Sequence, residues 1–307
     1  MFPLWASMAL RARGARQKDT RTSRGPGKGD VKGNRALGWL ALLLTFALHA
    51  GLPPATLAGQ GVAPAAPDTA RTLSRAEQEL FLERAKIVRT REMGKGVTRT
   101  LRATLTDGTT THDASIQVVD ERHDVFQSKR GTEIGFRDTW RYNLAAYHLS
   151  LMLDLDMVPT TVERKHAGKD ASFTWWVDDV LMDEGERLKK KVQAPDREAW
   201  NRQLWTLRIF DQLIENTDRN LGNMLIDARW KVWMIDHTRA FRRSEKLRND
   251  KNLERCDKAF LKALKALDAA TLEKRLGRWL GKDELEPILD RRDLITAFFD
   301  AAASRVY

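Results

Sequence analysis

Residues 210–241 constrain this chain more than any other stretch. They read Phe210-Asp211-Gln212-Leu213-Ile214-Glu215-Asn216-Thr217-Asp218-Arg219-Asn220-Leu221-Gly222-Asn223-Met224-Leu225-Ile226, then a turn at Asp227-Ala228-Arg229, then Trp233-Met234-Ile235-Asp236-His237-Thr238-Arg239-Ala240-Phe241. An amphipathic helix runs into a polar loop, and two short apolar runs around the turn form a β-hairpin. Asp218 and Asn223 fall in the loop, and Asp236 falls just past the second strand. A lone Asp-Arg-Asn is a common surface turn in which Asp218 pairs with Arg219 and does nothing more. The second Asn at a fixed offset, the hairpin, and Asp236 with Ala240-Phe241 behind it point to a functional site instead. Its side chains are oxygen donors of the kind that hold a hard divalent cation.

Asp218, Asn223 five residues later and Asp236 have the order and spacing of a kinase catalytic loop followed by its metal-binding aspartate. Asn-x-Asp-Arg-x-x-x-Asn and Ile-Asp-His-x-x-Ala-Phe resemble the atypical kinases of the protein-kinase-like fold. These include phosphatidylinositol 3-/4-kinases, HipA-type kinases and secretory-pathway kinases of the Golgi casein-kinase type. The resemblance covers most of residues 95–241 and is specific around 216–241. It implies an α+β, two-lobed protein-kinase-like fold with a small β-rich N-lobe and a helical C-lobe. It implies ATP and Mg²⁺ or Mn²⁺ as cofactors, Asp218 as the catalytic carboxylate and Asn223 and Asp236 as metal ligands. Asp211 and Asn216 are expected to brace the loop, because short polar side chains bond readily to turn backbone. Arg239 either neutralises phosphate or pairs with an acidic neighbour.

The N-lobe expectations follow along the chain. Ser74 with Glu77 forms a capping box opening a helix. Leu80, Phe81, Ile87 and Val88 give it an apolar side, and Gly94 and Gly96 end it. Val97–Leu105 alternates as a strand, Asp107-Gly108 turns, and Ala114, Ile116 and Val118 alternate in the returning strand. Gly94-Lys95-Gly96 reads as a helix C-cap or, by the resemblance, as the edge of a phosphate loop. The family's ATP-contacting lysine is expected where Gln117 stands, and its glutamate partner where Asn143 stands. Losing both members together is coherent, since a buried charge left alone is costly. Lys129 and Glu133 are candidates for a displaced pair. A helix is expected over 137–155, with Trp140, Leu144, Tyr147, His148, Leu151 and Leu155 on its buried face; His148 reads as a core histidine. Phe173–Val177 and Val180–Met182 read as one interrupted strand leading to Asp183-Glu184-Gly185, a hinge against which the adenine would lie by resemblance. Trp175 and Trp176 read as the core and surface residues of that strand.

Downstream, Pro195-Asp196 opens the helix that delivers the loop. The basic cluster Leu188-Lys189-Lys190-Lys191 reads as a solvated face. Three helices are expected around Leu253–Leu267, Ala269–Leu280 and Lys282–Phe299. Cys256, the single cysteine, excludes an internal disulfide and a Cys-based zinc site and is expected on a helix as a small buried hydrophobe.

Charge argues against nucleic acid as a partner. Residues 1–35 hold nine Lys/Arg against two Asp, a net +7 of the chain's +11, which leaves only +4 for the remainder. No recognition-helix or RNA-motif signature appears. The apolar run at residues 36–50 behind this positive flank has signal-peptide length and is short for a spanning helix. The expectation is an exported protein, periplasmic, secreted or anchored at the outer face of the membrane, with residues 36–50 as the alternative tether. The domain plan is 1–60 basic N-terminus and signal or anchor, 61–72 linker, 73–182 N-lobe and 183–307 C-lobe with catalytic loop and helical tail. The expected partner is a hydroxyl acceptor on a protein, sugar or lipid. A pseudokinase scaffold is the alternative function, motivated by Gln117 and Asn143.

Overall fold

The computed structural model describes residues 73–94, 100–128 and 131–307. The expected signal or anchor, the linker, Gly96 and Lys129 lie outside these described residues.

The chain enters through helix α1 (Arg75–Arg84). Its capping box is complete, with the Ser74 N–H donating to Glu77 Oε2 at 2.8 Å and the Glu77 N–H donating to Ser74 Oγ at 3.4 Å. The helix stops ten residues before Gly94, contrary to expectation. Ala85 is already extended, and Ile87 and Val88 belong to strand β1 (Lys86–Glu92). Their spacing mimics helical periodicity, but β-branched side chains suit a strand, and the ladder to the next strand satisfies the backbone.

Strands β2 (Leu101–Thr106) and β3 (Thr111–Gln117) form the expected hairpin around Asp107-Gly108. A second hairpin, β4 (Asp120–Ser128) and β5 (Gly131–Thr139), forms a separate two-stranded sheet. Helix α2 (Arg141–Met152) is therefore shorter than the expected 137–155, because Arg137, Asp138 and Thr139 complete β5. Strands β6 (Thr161–His166) and β7 (Lys169–Trp175) finish an antiparallel sheet of order β1-β2-β3-β7-β6. Period-2 alternation gives this sheet two faces. Ala103, Leu105, Ala114, Ile116, Phe173 and Trp175 turn to one side and bury against Phe81, Leu82 and Ala85 of α1 and its cap. Thr100, Ser115, Gln117, Thr161 and Thr174 turn to the other and line a cleft.

Strand β8 (Val180–Asp183) is not a continuation of β7, as the sequence had suggested. It pairs with β9 (Met224–Asp227), which pairs with β10 (Val232–Met234), in a three-stranded sheet of its own. The chain leaves the first sheet between Trp176 and Asp179, where Asp178 accepts from the Trp175 indole at 3.3 Å and Asp179 adopts φ +52°. Asp183 then caps α3 (Glu184–Lys190), accepting from the Glu186 N–H at 2.7 Å.

The remaining residues form a helical lobe. Helix α4 (Arg197–Leu213) starts at the Asp196 cap and buries Trp200, Leu207 and Phe210. Helices α5 (Lys258–Lys265), α6 (Ala269–Leu276) and α7 (Lys282–Ala301) follow. The first of these begins five residues later than expected, because Asp257 caps it with bonds from the Ala259 and Phe260 N–H groups at 2.8 and 3.0 Å. Cys256 accordingly lies outside a helix, in a parallel bridge to Val306, and it is buried. His148 is a packing residue as expected, stacked on Trp279 with ring centroids 4.7 Å apart.

Candidate active site

Helix α4 ends by pointing Asp211 into the loop it delivers. The Asn216 N–H donates to the Asp211 carbonyl at 2.9 Å and its side-chain amide to Asp211 Oδ1 at 3.2 Å. Asn216 Oδ1 in turn receives the Asp218 N–H at 3.0 Å. Arg219 does not pair with Asp218, the reading a simple surface turn would require. Its guanidinium lies on Asp211, with Nε 3.0 Å from Oδ2, and donates through Nη1 to the carbonyls of Asn223 at 3.0 Å and Ile235 at 2.8 Å. One arginine thus pins the loop to the helix before it and the strand after it. Its Nη2 also meets His237 Nε2 at 2.9 Å. Arginine can only donate, so Nε2 accepts and the proton of the neutral ring resides on Nδ1. Burial, with the Arg219 charge beside it, holds His237 well below the usual histidine range.

Asn223 lies in a 3-10 turn (Leu221–Asn223) and donates its side-chain amide to the Asp218 carbonyl at 3.3 Å. Its amide nitrogen is thereby engaged, and the oxygen is the atom it can offer a cation. Asp236 follows β10 at φ +56°, a left-handed backbone that costs a non-glycine residue of order 1 kcal/mol and clusters at functional sites. Its Oδ1 accepts from Gln117 Nε2 at 3.3 Å and Thr238 Oγ1 at 3.1 Å.

Gln117 and Asn143, the two departures from the family pattern, meet. Asn143 Nδ2 donates to Gln117 Oε1, and also to Ser172 Oγ at 3.2 Å. Asn143 Oδ1 accepts the His237 N–H at 2.8 Å. The pair links β3, α2 and β7 to the segment carrying Asp236 with complementary amides, at the two positions where the sequence resemblance leads us to expect an ion pair.

Asp218, Asn223, Asp236, Asp183, Glu133 and Arg239 all line one open cleft of about 1880 Å³. Glu133 accepts from Arg239 Nη2 at 2.7 Å and from Arg242. Arg239 Nη1 stands 3.9 Å from Asp218 Oδ2, so this guanidinium touches an acid while facing the candidate catalytic carboxylate. Gly94 follows β1 and is not among the cleft-lining residues, although its neighbour Met93 is. Trp176 lines the cleft beneath the Arg102 guanidinium, 4.2 Å from its ring centroid.

The sequence reading missed Asp138. This residue is next to last in β5, lines the cleft and is only 7% exposed, and its Oδ1 has no hydrogen-bond partner among the described residues. Burial pushes its carboxyl up to about 6, and the nearby charge of Asp236 adds to the shift. Placing residues 137–155 in a helix hid it, because an acid in a first helical turn needs no special role.

Comparison with known proteins gives no matching family model and no matching curated protein. Solved structures do match. Hydra Fam20 with sugar aligns at a TM-score of 0.56 and 15% identity, over 76% of this chain and 91% of that one. A Golgi casein kinase aligns at a TM-score of 0.50 and 14% identity, over 75% of each. At these identities the likeness shows the fold, which is an atypical protein-kinase-like one with an α+β, two-lobed architecture.

Proposed function

We propose that this protein-kinase-like chain is an ATP-dependent phosphotransferase that moves the γ-phosphoryl group to a hydroxyl acceptor. The observation that carries the reading is that Asp218, Asn223 and Asp236 line one cleft, their backbone held by the Arg219 and Asn216 bonds. Asp218 orients the acceptor hydroxyl and draws its proton as the oxygen attacks. Asn223 and Asp236 hold Mg²⁺ or Mn²⁺, which when bound neutralises charge on the phosphate oxygens. Asp138 fits the same cation. A buried carboxylate oxygen without a donor is costly, and a divalent ion beside Asp236 would relieve it. Arg239, beside Asp218, contributes positive charge on the acceptor side. The acceptor hydroxyl belongs to a protein, a sugar or a lipid head group.

The test is calorimetric titration with ATP and Mn²⁺ of the protein and of an Asp236→Ala variant. Metal-dependent binding in the first and its loss in the second are expected. A well-folded protein that binds no nucleotide rejects the reading. Turnover with a reactive acceptor should fall on the order of 100-fold or more in Asp218→Asn.

The Gln117–Asn143 pair favours a second reading, a nucleotide- or partner-binding scaffold without transfer, since the cation expected on β3 is missing. Nucleotide binding without radiolabel transfer to protein, glycan or lipid acceptors would select it. Export is part of the proposal and rests on the apolar run at residues 36–50 behind its basic flank. A tagged protein recovered only in the cytosolic fraction would refute it. Among the described residues no helix is long and apolar enough to cross a membrane.

A further inference from the structure

The polar face of the five-stranded sheet does not end at the cleft. Thr100, Arg102 and Thr104 alternate along one strand edge, and Gln117, Ser115 and Asp113 along its partner, with Arg102 opposite Ser115 and Thr104 opposite Asp113. The outer end of this row forms a second depression of about 210 Å³, lined by Arg89, Arg91, Arg102, Thr104 and Asp113.

A break in β1 puts two of these arginines there. In an uninterrupted strand, Arg89 and Arg91 would share the face of Ile87, which packs on the apolar core. The register shifts between Ile87 and Arg89. Ile87 stays opposite Leu105, while Arg89 comes opposite Thr104 and Arg91 opposite Arg102. The extra residue, Val88, is left 59% exposed. Bulges re-aim side chains in this way, at a cost in pairing and here in apolar exposure.

The result is electrostatically unfavourable for the protein alone. Arg91 and Arg102 are directly opposite on paired strands, with Cβ atoms roughly 5 Å apart, an arrangement that destabilises like charges. The depression holds three guanidinium groups and one carboxylate. Asp113 is committed to Arg102 at 2.5 Å and to Thr104 Oγ1 at 2.6 Å. Arg89 and Arg91 have no carboxylate partner among the described residues. Arg102 is fixed from behind by Trp176. A fixed guanidinium, two more that converge on it, a hydroxyl and a net charge of two suit a tetrahedral dianion bound by paired N–H donors.

We propose that Arg89, Arg91 and Arg102 form an anion site for a phosphate or sulfate group at the outer end of the polar sheet face. The site is separate from Asp218 and Asp236 and does not depend on phosphoryl transfer. The test is titration of the full chain with inorganic phosphate, inorganic sulfate and phenyl phosphate, beside three variants. Saturable binding of phosphate or sulfate is expected. In the Arg89→Ser/Arg91→Ser double variant it should weaken by roughly tenfold or more, the scale of losing charge-assisted contacts. Lys189→Ser/Lys190→Ser removes the same charge from α3 and should leave binding unchanged. Asp113→Asn removes the competing carboxylate and should tighten it. Phenyl phosphate binding as well as inorganic phosphate identifies a group carried on a larger molecule, and inorganic phosphate alone identifies a free-ion site. The proposal is overturned by absence of saturable binding, by equal weakening in the two double variants, by full binding in the Arg89/Arg91 variant, or by weaker binding in Asp113→Asn.

Discussion

Asp138 carries the sharpest consequence at the level of single residues. Its carboxyl titrates near 6 in the folded chain and at the ordinary value near 3.8 when exposed. The folded state therefore binds the proton more tightly than the unfolded one. Its stability declines as pH rises from about 4 to about 6, and the full cost remains above that. The displacement is equivalent to about 3 kcal/mol. Asp138→Asn should raise the cation-free melting temperature at pH 8, leave it nearly unchanged at pH 4, and weaken Mn²⁺ binding at pH 8. Thermal melts at both pH values and a Mn²⁺ titration check it; an unchanged melt at pH 8 would contradict the burial argument. The residues most readable from sequence were those whose role is local. Asp211 and Asn216 brace the loop within eight residues, bonding to each other and to the Asp218 N–H, and short polar side chains at a helix end have few other uses. Asp138 depends on Thr238 and Asp236, about a hundred residues away, and no local spacing records that.

Among the elements, the β4–β5 hairpin stands apart as a two-stranded sheet of its own. Its outer positions are open, with Ile134 85% exposed. It is tied to the rest of the chain through Glu133, clasped by Arg239 and Arg242, through the Arg137–Glu284 and Arg141–Asp120 ion pairs, and through Phe136, which lies beneath the Arg239 guanidinium and stacks on Phe126 of the same hairpin at 4.0 Å. Glu133→Gln replaces charge-assisted bonds by neutral ones. Amide hydrogens of residues 131–139 should then exchange roughly tenfold faster, with α2 unaffected. Hydrogen exchange by mass spectrometry would show it, and an unchanged hairpin would mean that the remaining ties, among them the Arg137–Glu284 and Arg141–Asp120 ion pairs and the Arg242 bond to the Gly135 carbonyl, suffice to hold it. Sequence periodicity failed at this level for an identifiable reason. Ile87 and Val88 sit at helical distance from Leu80 and Phe81, and only pairing with Leu105 decides for a strand. Strands β7 and β8 are separated by four residues without a glycine or proline, so the change of sheet leaves no mark. The hairpins at Asp107-Gly108 and Asp227-Ala228-Arg229, and the caps at Ser74 and Asp196, were legible because turn and cap chemistry is local.

At the scale of the molecule, the described residues form two apolar cores. The smaller, eleven buried residues around Phe173, belongs to the five-stranded sheet and α1; the larger packs α2 and α4–α7. Phe173→Ala should cost about 3–5 kcal/mol. The loss of protection should concentrate in β2, β3, β6 and β7, while α4 and α7 keep theirs. Uniform loss across both would show that the cores unfold as one unit. The two-lobed plan was foreseen through the resemblance around residues 216–241, since the chemistry of that stretch needs a cleft and a cleft needs two walls. The path between the walls was not foreseen.

Across that cleft, Gln117 and Asn143 meet as two amides, and the only formal charge they touch is the Asp236 carboxylate that accepts from Gln117. An ion pair in the same buried place would be little screened by salt, but it would lose one of its charges at extremes of acidity. Amides have nothing to screen and nothing to titrate. The amide pair therefore keeps its bond in mild acid and in mild alkali alike, where an ion pair could lose one of its charges.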